Sequence, residues 1–155
     1  MINCSICRGD SFFEYCRKAG FILSRCVKCG LIFVDNLNLD LKSFYNNPNY
    51  LHDQDGRGYV DYEIDKAPML GVYSNILNKI KQWRPAIGLL DIGTANGYFL
   101  DIANTNAYEA EGVEINSVSA QEGKMLGRKI REGDLLEIEY TKGSFGAVTA
   151  FDFFE

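Results

Sequence analysis

Apolar positions along this chain fall into three regimes. From residue 1 to about 36 they come in short runs, FFEYC, GFILSRC and LIFV. From 37 to about 64 the stretch LNLDLKSFYNNPNYLHDQDGRGYVDYE is rich in Asn, Asp, Tyr and turn formers, and reads as a linker with one short helix. From 65 to 155 helical and strand patterns alternate, with no internal repeat and no low-complexity tract.

The third regime predicts its elements one by one. Asp65 is the expected cap of a helix whose core stripe is Met69, Val72, Tyr73, Ile76, Leu77 and Ile80, and Pro85 ends it. IGLLDIG (87–93) is continuously apolar, as a strand covered on both faces should be. Helical spacing returns at Phe99, Ile102 and Ala103. EGVEI (111–115) is a second strand, and SAQE (119–122) has the capping-box pattern of a helix that Gly127 terminates. KIREGDL (129–135) and FGAVTAFDFF (145–154) supply a third and a fourth strand. The order α-β-α-β-α-β-β predicts an α/β fold with a doubly wound, mainly parallel sheet, its strand order reversing before the fourth strand.

Composition narrows the class. The chain has 155 residues, 46% of them hydrophobic, and a net charge of −5 with acids and bases interspersed. That is one ordinary globular domain's worth of chain, with no basic footprint for nucleic acid or anionic lipid. No apolar run approaches the ~20 residues of a membrane span, and MINCSICRGD has no apolar signal core. The expected location is the cytoplasm, where clustered cysteines bind metal more readily than they form disulfides.

The cysteines are so arranged. Cys4-x-x-Cys7 and Cys26-x-x-Cys29 stand 18 residues apart, within the spacing of zinc sites. A two-residue gap lets both thiolates of a pair reach one ion from a tight turn, and two such turns close a tetrahedron. Gly30 suits the tight backbone of a knuckle. Four thiolates leave no open position for a substrate, so the expected zinc is structural. It would do much of the folding of residues 1–40, which are too few for a core of their own. The fifth cysteine, Cys16, is expected to pack inside this ribbon.

The turn after the first strand of the third regime, LLDIGTANGYFL (89–100), carries the candidate chemistry. As a dinucleotide loop it fails: from Gly93, Ala95 stands where the second glycine belongs and Tyr98 where the third does. No Lys-Ser/Thr follows, so it is not a P-loop either. S-adenosylmethionine (SAM) has no phosphate and carries a sulfonium cation, so the loop need only let backbone come close. Asp91 at the strand end suits a cation. Glu114, 17 residues after Gly97, is placed to accept ribose hydroxyls, and Asp134 ends the third strand where it can face an adenine amino group.

With these residues in view the sequence resembles the class I SAM-dependent methyltransferases, whose first motif, D-x-G-x-G-x-G, reads here Asp91-Ile92-Gly93-Thr94-Ala95-Asn96-Gly97. GVEIN, GDL and FGAVTAFDFFE continue the likeness, and RCVKCGLIFV resembles a subgroup with an N-terminal four-cysteine zinc ribbon that includes sugar C-methyltransferases. The resemblance implies a Rossmann-like fold and methyl transfer from SAM to a small molecule such as a sugar. It implies cofactor contacts from Asp91, Gly93, Thr94, Ala95, Asn96, Gly97, Glu114, Ile115, Asp134 and Leu135, and a structural zinc on Cys4, Cys7, Cys26 and Cys29.

The family's sheet has seven strands and about four are legible here, so the chain reads as a ribbon (1–40), a linker (41–64) and the cofactor-binding half of a methyltransferase (65–155). A catalytic base, if the reaction needs one, is expected beyond Glu155, and no catalytic residue is assigned. The last strand is expected to be an apolar edge through which the chain could self-associate. His52, the only histidine, falls in the linker and reads as non-catalytic. Tyr45, Tyr50, Tyr59 and Tyr62 either close over the cofactor or staple the ribbon to the main domain, and stapling is the preferred reading. A non-catalytic binding module built on a zinc ribbon is the alternative from another class. A nicotinamide-dependent oxidoreductase is disfavoured by Tyr98.

Overall fold

The computed structural model describes residues 3–35, 40–45, 61–83 and 88–153. The chain divides into two compact units, Met1–Asp40 and Leu41–Glu155. The expectations placed on Pro85, Tyr50, His52 and Tyr59 lie outside the described residues.

The first unit is a three-stranded antiparallel sheet of β1 (Phe12–Lys18), β2 (Phe21–Cys26) and β3 (Ile32–Val34), in that order. Ala19 and Gly20 form the two-residue turn between β1 and β2, with φ of +49° and +84°. Two successive positive values match the right-handed twist of a hairpin, so Lys18 pairs with Phe21 and the register runs back to Phe12 opposite Cys26. A bulge between Glu14 and Cys16 shifts that register, and Cys16 is exposed on it rather than packed inside. Every residue of β1 after Phe12 is exposed, so neither face of this strand offers a buried position to Cys16.

The second unit holds α1 (Leu41–Tyr45), α2 (Tyr62–Lys66), a 3-10 turn (Ala67–Met69) and α3 (Leu70–Trp83). Then follow β4 (Gly88–Ile92), α4 (Tyr98–Thr105), β5 (Glu109–Glu114), α5 (Ser117–Met125), β6 (Ile130–Glu132) and β7 (Ala147–Ala150). The sheet is parallel throughout, in the order β6-β5-β4-β7, so it winds outward from β4 in both directions. β5 lies on one side of β4 and β7 on the other, and this places the reversal beside the β4–α4 turn.

Two helix starts differ from expectation. The helix expected to run from Asp65 through Met69 to Ile80 is divided into α2, the 3-10 turn and α3. Asp61 caps α2, its Oδ1 accepting from the Glu63 and Ile64 amides at 2.9 and 3.1 Å, and Asp65 sits within α2 rather than at the start of α3. Asn116 caps α5, accepting from the Ser119 amide at 2.9 Å, which places Ser119 and Glu122 inside it. In both cases a short polar side chain three or four residues upstream reached the free amides first.

Leu89 pairs with Ala110 and Asp91 with Gly112, so these four side positions share one face of the sheet. The core lies on that face, where Leu89 and Ala110 meet Tyr73 and Leu77 of α3, Phe99, Leu100 and Ala103 of α4, and Ala120 of α5. Val72, assigned to the core stripe by its spacing, is 47% exposed. On the opposite face Leu90 and Val113 are also buried, as an all-parallel sheet requires, while Val148 on the β7 edge is 58% exposed.

Close approach sets the geometry around the β4–α4 turn. A Cβ at Gly123 in α5 would stand 2.2 Å from the Asn96 carbonyl oxygen and 2.3 Å from Ile130 Cδ1. Helix propensity alone predicts that Gly123→Ala stabilises the protein by about 1 kcal/mol. The contact predicts the opposite sign: a loss of ~1–3 kcal/mol in urea unfolding, because α5 must move off the turn.

Candidate functional site

A cavity of about 590 Å³ opens at the carboxyl ends of β4, β5 and β6. Of the ten positions expected to contact a cofactor, Asp91, Gly93, Thr94, Ala95, Glu114, Ile115, Asp134 and Leu135 line it. Asn96 and Gly97 do not. The Asn96 side chain turns away to Glu63, and Gly97, with φ of +84°, is the residue just before α4.

The loop is held by β5. The amides of Gly93 and Thr94 both donate to the Val113 carbonyl, at 2.9 and 3.2 Å. Thr94 lies directly over Gly112, where a Cβ would stand 2.3 Å from its methyl carbon. Ala95 has φ of +52°, a left-handed conformation that costs an alanine roughly 1–2 kcal/mol. That geometry explains why glycine suits this position, and the cavity remains open around the methyl group.

Glu114 is buried, and its two carboxylate oxygens take different backbone amides. Oε2 accepts from Ala95 at 2.8 Å and Oε1 from Asn116 at 2.7 Å. A carboxylate has about four acceptor positions, so capacity remains for a ligand's hydroxyls. Burial raises the Glu114 pKa, and the amides of Asn116, Ala95 and Ile115 oppose the shift. Asp91 is also buried, with Oδ1 accepting from the Thr149 hydroxyl at 2.7 Å. Burial pushes its carboxyl from 3.8 up to about 6, against the pull of Thr149 and Thr94 and with a smaller push from the Glu114 charge. Thr94 Oγ1 favours the Asp91 charge by proximity while making no hydrogen bond of good geometry. Asp134 is half-buried on the cavity wall, and its Oδ1 accepts from the Leu136 amide at 2.9 Å.

Aromatic rings make up much of the rest of the wall, beside Lys66, Asn116 and Asp152. Phe99 packs edge-on against Tyr73 and Phe151, which tilt against each other, with centroids 4.8–5.1 Å apart, and Phe153 lies against Gly93. Tyr45 and Tyr62 also line the cavity. Phe151, Asp152 and Phe153 follow β7, and sequence reasoning treated them only as a strand. Tyr73, in the expected core stripe, and Phe99, on the helical face of the next segment, both join the core, and both also face the cavity. Helical spacing identifies a buried side chain without saying whether its neighbour is protein or a cavity.

In the first unit the Sγ atoms of Cys4, Cys7, Cys26 and Cys29 all lie within 4.8 Å of one another. Cys4–Cys29 and Cys7–Cys26 are each 3.6 Å apart. Tetrahedral thiolates at ~2.3 Å from an ion stand about 3.8 Å from each other, so the donor set fits zinc. Two matching knuckles produce it. The Cys4 and Cys26 amides donate to Gly9 and Leu31 carbonyls at 2.8 Å, and Arg8 and Gly30 occupy equivalent left-handed positions, with φ of +58° and +78°.

The Cys7 amide does most to bring the Cys4 thiol down to about 6, and the Cys29 amide does most to lower Cys26. The Leu31 amide favours a Cys29 thiolate, but the sulfur of Cys7, burial and the sulfurs of Cys4 and Cys26 outweigh it and push Cys29 up to about 12. Some sulfurs ionise readily and the last does not, so a full set of thiolates calls for a cation among them.

The Asp91 carboxyl has a consequence for stability. Its folded pKa is raised, so between about pH 4 and pH 6 the folded chain binds more protons than the unfolded one. Stability from this group is therefore present at low pH and is lost as pH rises through that window. Asp91→Asn keeps an acceptor for Thr149 and cannot ionise. Urea unfolding from pH 4 to pH 7 should show wild type losing roughly 2–3 kcal/mol relative to the variant. A gap between the two proteins that is constant with pH would refute a buried, hard-to-ionise carboxyl.

No protein-family model matches this sequence, and no curated relative matches it. The fold is similar to that of the plantazolicin methyltransferase BpumL, solved in complex with SAH, at a TM-score of 0.50 and 12% identity over 71% of this chain and 47% of that one. It is also similar to geranyl diphosphate C-methyltransferase from Streptomyces coelicolor A3(2), solved with Mg2+, geranyl diphosphate and S-adenosyl-L-homocysteine. There the TM-score is 0.51 and identity 19% over 72% of this chain and 51% of that one. This chain spans about half the length of these two structures. Likeness at such identities establishes the fold of the sheet, a Rossmann-like α/β arrangement; the four-cysteine cluster lies near the N-terminus of this chain.

Proposed function

We propose that the Leu41–Glu155 unit binds SAM and serves a methyltransferase acting on a small molecule, and that residues 1–40 form a ribbon around one structural zinc ion. In this reading residues 41–64 link the two, and 65–155 carry the cofactor site. The observation that carries it is the convergence of Asp91, Glu114 and Asp134 on one cavity at the switch point of a parallel sheet. The backbone of Gly93–Ala95 borders the ligand, Glu114 accepts from ribose hydroxyls and Asp134 from the adenine amino group. Asp91 lies toward the positive end of the ligand. The solved structures with related folds hold SAH, which agrees with this assignment.

SAM supplies a methyl group on a sulfonium centre. The residues here bind and orient it, and transfer to an in-line nucleophile then depends mainly on alignment and proximity. The acidic wall favours the cation, since Asp91 and Glu114 carry the charge nearest the loop.

Titration calorimetry with SAM and SAH on zinc-loaded protein tests the cofactor reading: binding is expected, and no heat with either ligand sinks it. Glu114→Ala should weaken SAH tenfold or more, as loss of charge-assisted hydrogen bonds worth ~1.5–3 kcal/mol requires.

Metal analysis of reduced protein should find one zinc per chain, and Cys26→Ser should bring that well below one. A wild type with far less than one zinc per chain overturns the ribbon assignment.

A further inference from the structure

Arg128 stands outside every motif, in the turn between α5 and β6, yet its side chain is 5% exposed. It runs beneath the β4–α4 turn, its Cδ 3.1 Å from where a Gly97 Cβ would be. All three guanidinium nitrogens are engaged. Nε and Nη2 meet Asp101 Oδ2 at 2.9 and 2.7 Å, and Nη1 donates to Glu63 Oε1 at 2.7 Å and to the Asn96 carbonyl at 3.0 Å. The Asn96 side-chain amide donates to the same Glu63 oxygen at 2.9 Å. Burial works against the guanidinium charge, and Glu63 and Asp101 more than restore it.

Glu63 belongs to α2, one of whose neighbouring residues, Tyr62, lines the cavity, as does Lys66 one turn on. At that end Lys66 Nζ meets Asp152 Oδ2 at 3.5 Å, and Pro68 follows in the 3-10 turn that joins α2 to α3. α2 contributes no buried residue to the core. Among the described residues, Glu63 ties it to two buried side chains, Arg128 and Asn96.

We propose that Arg128 is a positioning residue of the cavity: through Glu63 and Asn96 it fixes α2, and with it Tyr62 and Lys66, against the glycine loop. The inference rests on the reading of this cavity as a SAM site, but the clamp itself can be observed without ligand. A guanidinium is required because one group must address two carboxylates and a carbonyl at once.

The test uses the full zinc-loaded chain with Arg128→Met, Arg128→Lys and Glu63→Ala. Glu63 is partly exposed, so its removal leaves the core intact. Calorimetry with SAH should show Arg128→Met and Glu63→Ala each binding about fivefold to tenfold more weakly. The double variant should lose no more than Arg128→Met alone, because both act through one contact. Arg128→Lys should recover only part of the loss. In ligand-free protein, amide order parameters over 62–66 should fall from about 0.85 toward 0.6 in both single variants, with β4 and β5 unchanged. SAH affinities within twofold of wild type, or order parameters that stay high over 62–66, overturn the clamp. So does a loosening that spreads equally into β4 and β5. Wild type that fails to bind SAH overturns the cofactor reading instead, and the ligand-free order parameters then decide the clamp alone.

Discussion

The carboxylate of Glu114 is the constraint on which the site depends. One of its oxygens takes the Ala95 amide from the turn after β4, and the other takes the Asn116 amide from the turn after β5. A buried acid thereby ties the two loops that border the cavity to each other. Asn116 extends the tie: its side chain caps α5 and donates to the Tyr45 carbonyl at the end of α1. The glycines on either side follow from that closeness. Gly112 leaves room for Thr94, and Gly123 lets α5 reach the Asn96 carbonyl.

That arrangement places acids where a stability argument would not. Asp91 and Glu114 are both buried, and burial raises both pKa values. Each is supplied with hydrogen-bond donors, so neither is orphaned, but a neutral side chain would suit the free protein better at neutral pH. A cation in the cavity would favour the ionised form that the fold alone disfavours. The cysteine cluster follows the same logic in smaller compass, since its sulfurs crowd together at distances that suit an ion and oppose ionisation of the last thiol without one.

The turn below the cavity is supported from beneath by a second charged group. Arg128 meets Glu63, Asp101 and the Asn96 carbonyl with little exposure, and so links α2, the loop and α4 to the segment before β6. A buried guanidinium with all its partners satisfied is costly to disturb, because removing one partner strands the others.

The sequence by itself determined what depends on local periodicity and short spacing. The apolar run at 87–93 and the small residues after it specify a strand, a tight turn and a helix, and the paired CxxC steps specify two knuckles. Eight of ten expected cofactor positions do share one cavity, because a parallel sheet brings its strand ends to one side whatever the details of packing. Tertiary structure decided the rest. Asp61 and Asn116 cap helices assigned to Asp65 and Ser119, since competition among nearby polar groups is settled by backbone geometry. Cys16 is exposed because β1 buries nothing beyond Phe12, which the short apolar run FFEYC does not announce. Arg128 and Glu63 lie 65 residues apart and carry no motif, so their contact exists only once the fold has closed. Single-sequence patterns record what a residue does to its own segment; partners across the fold leave no trace in the periodicity of either.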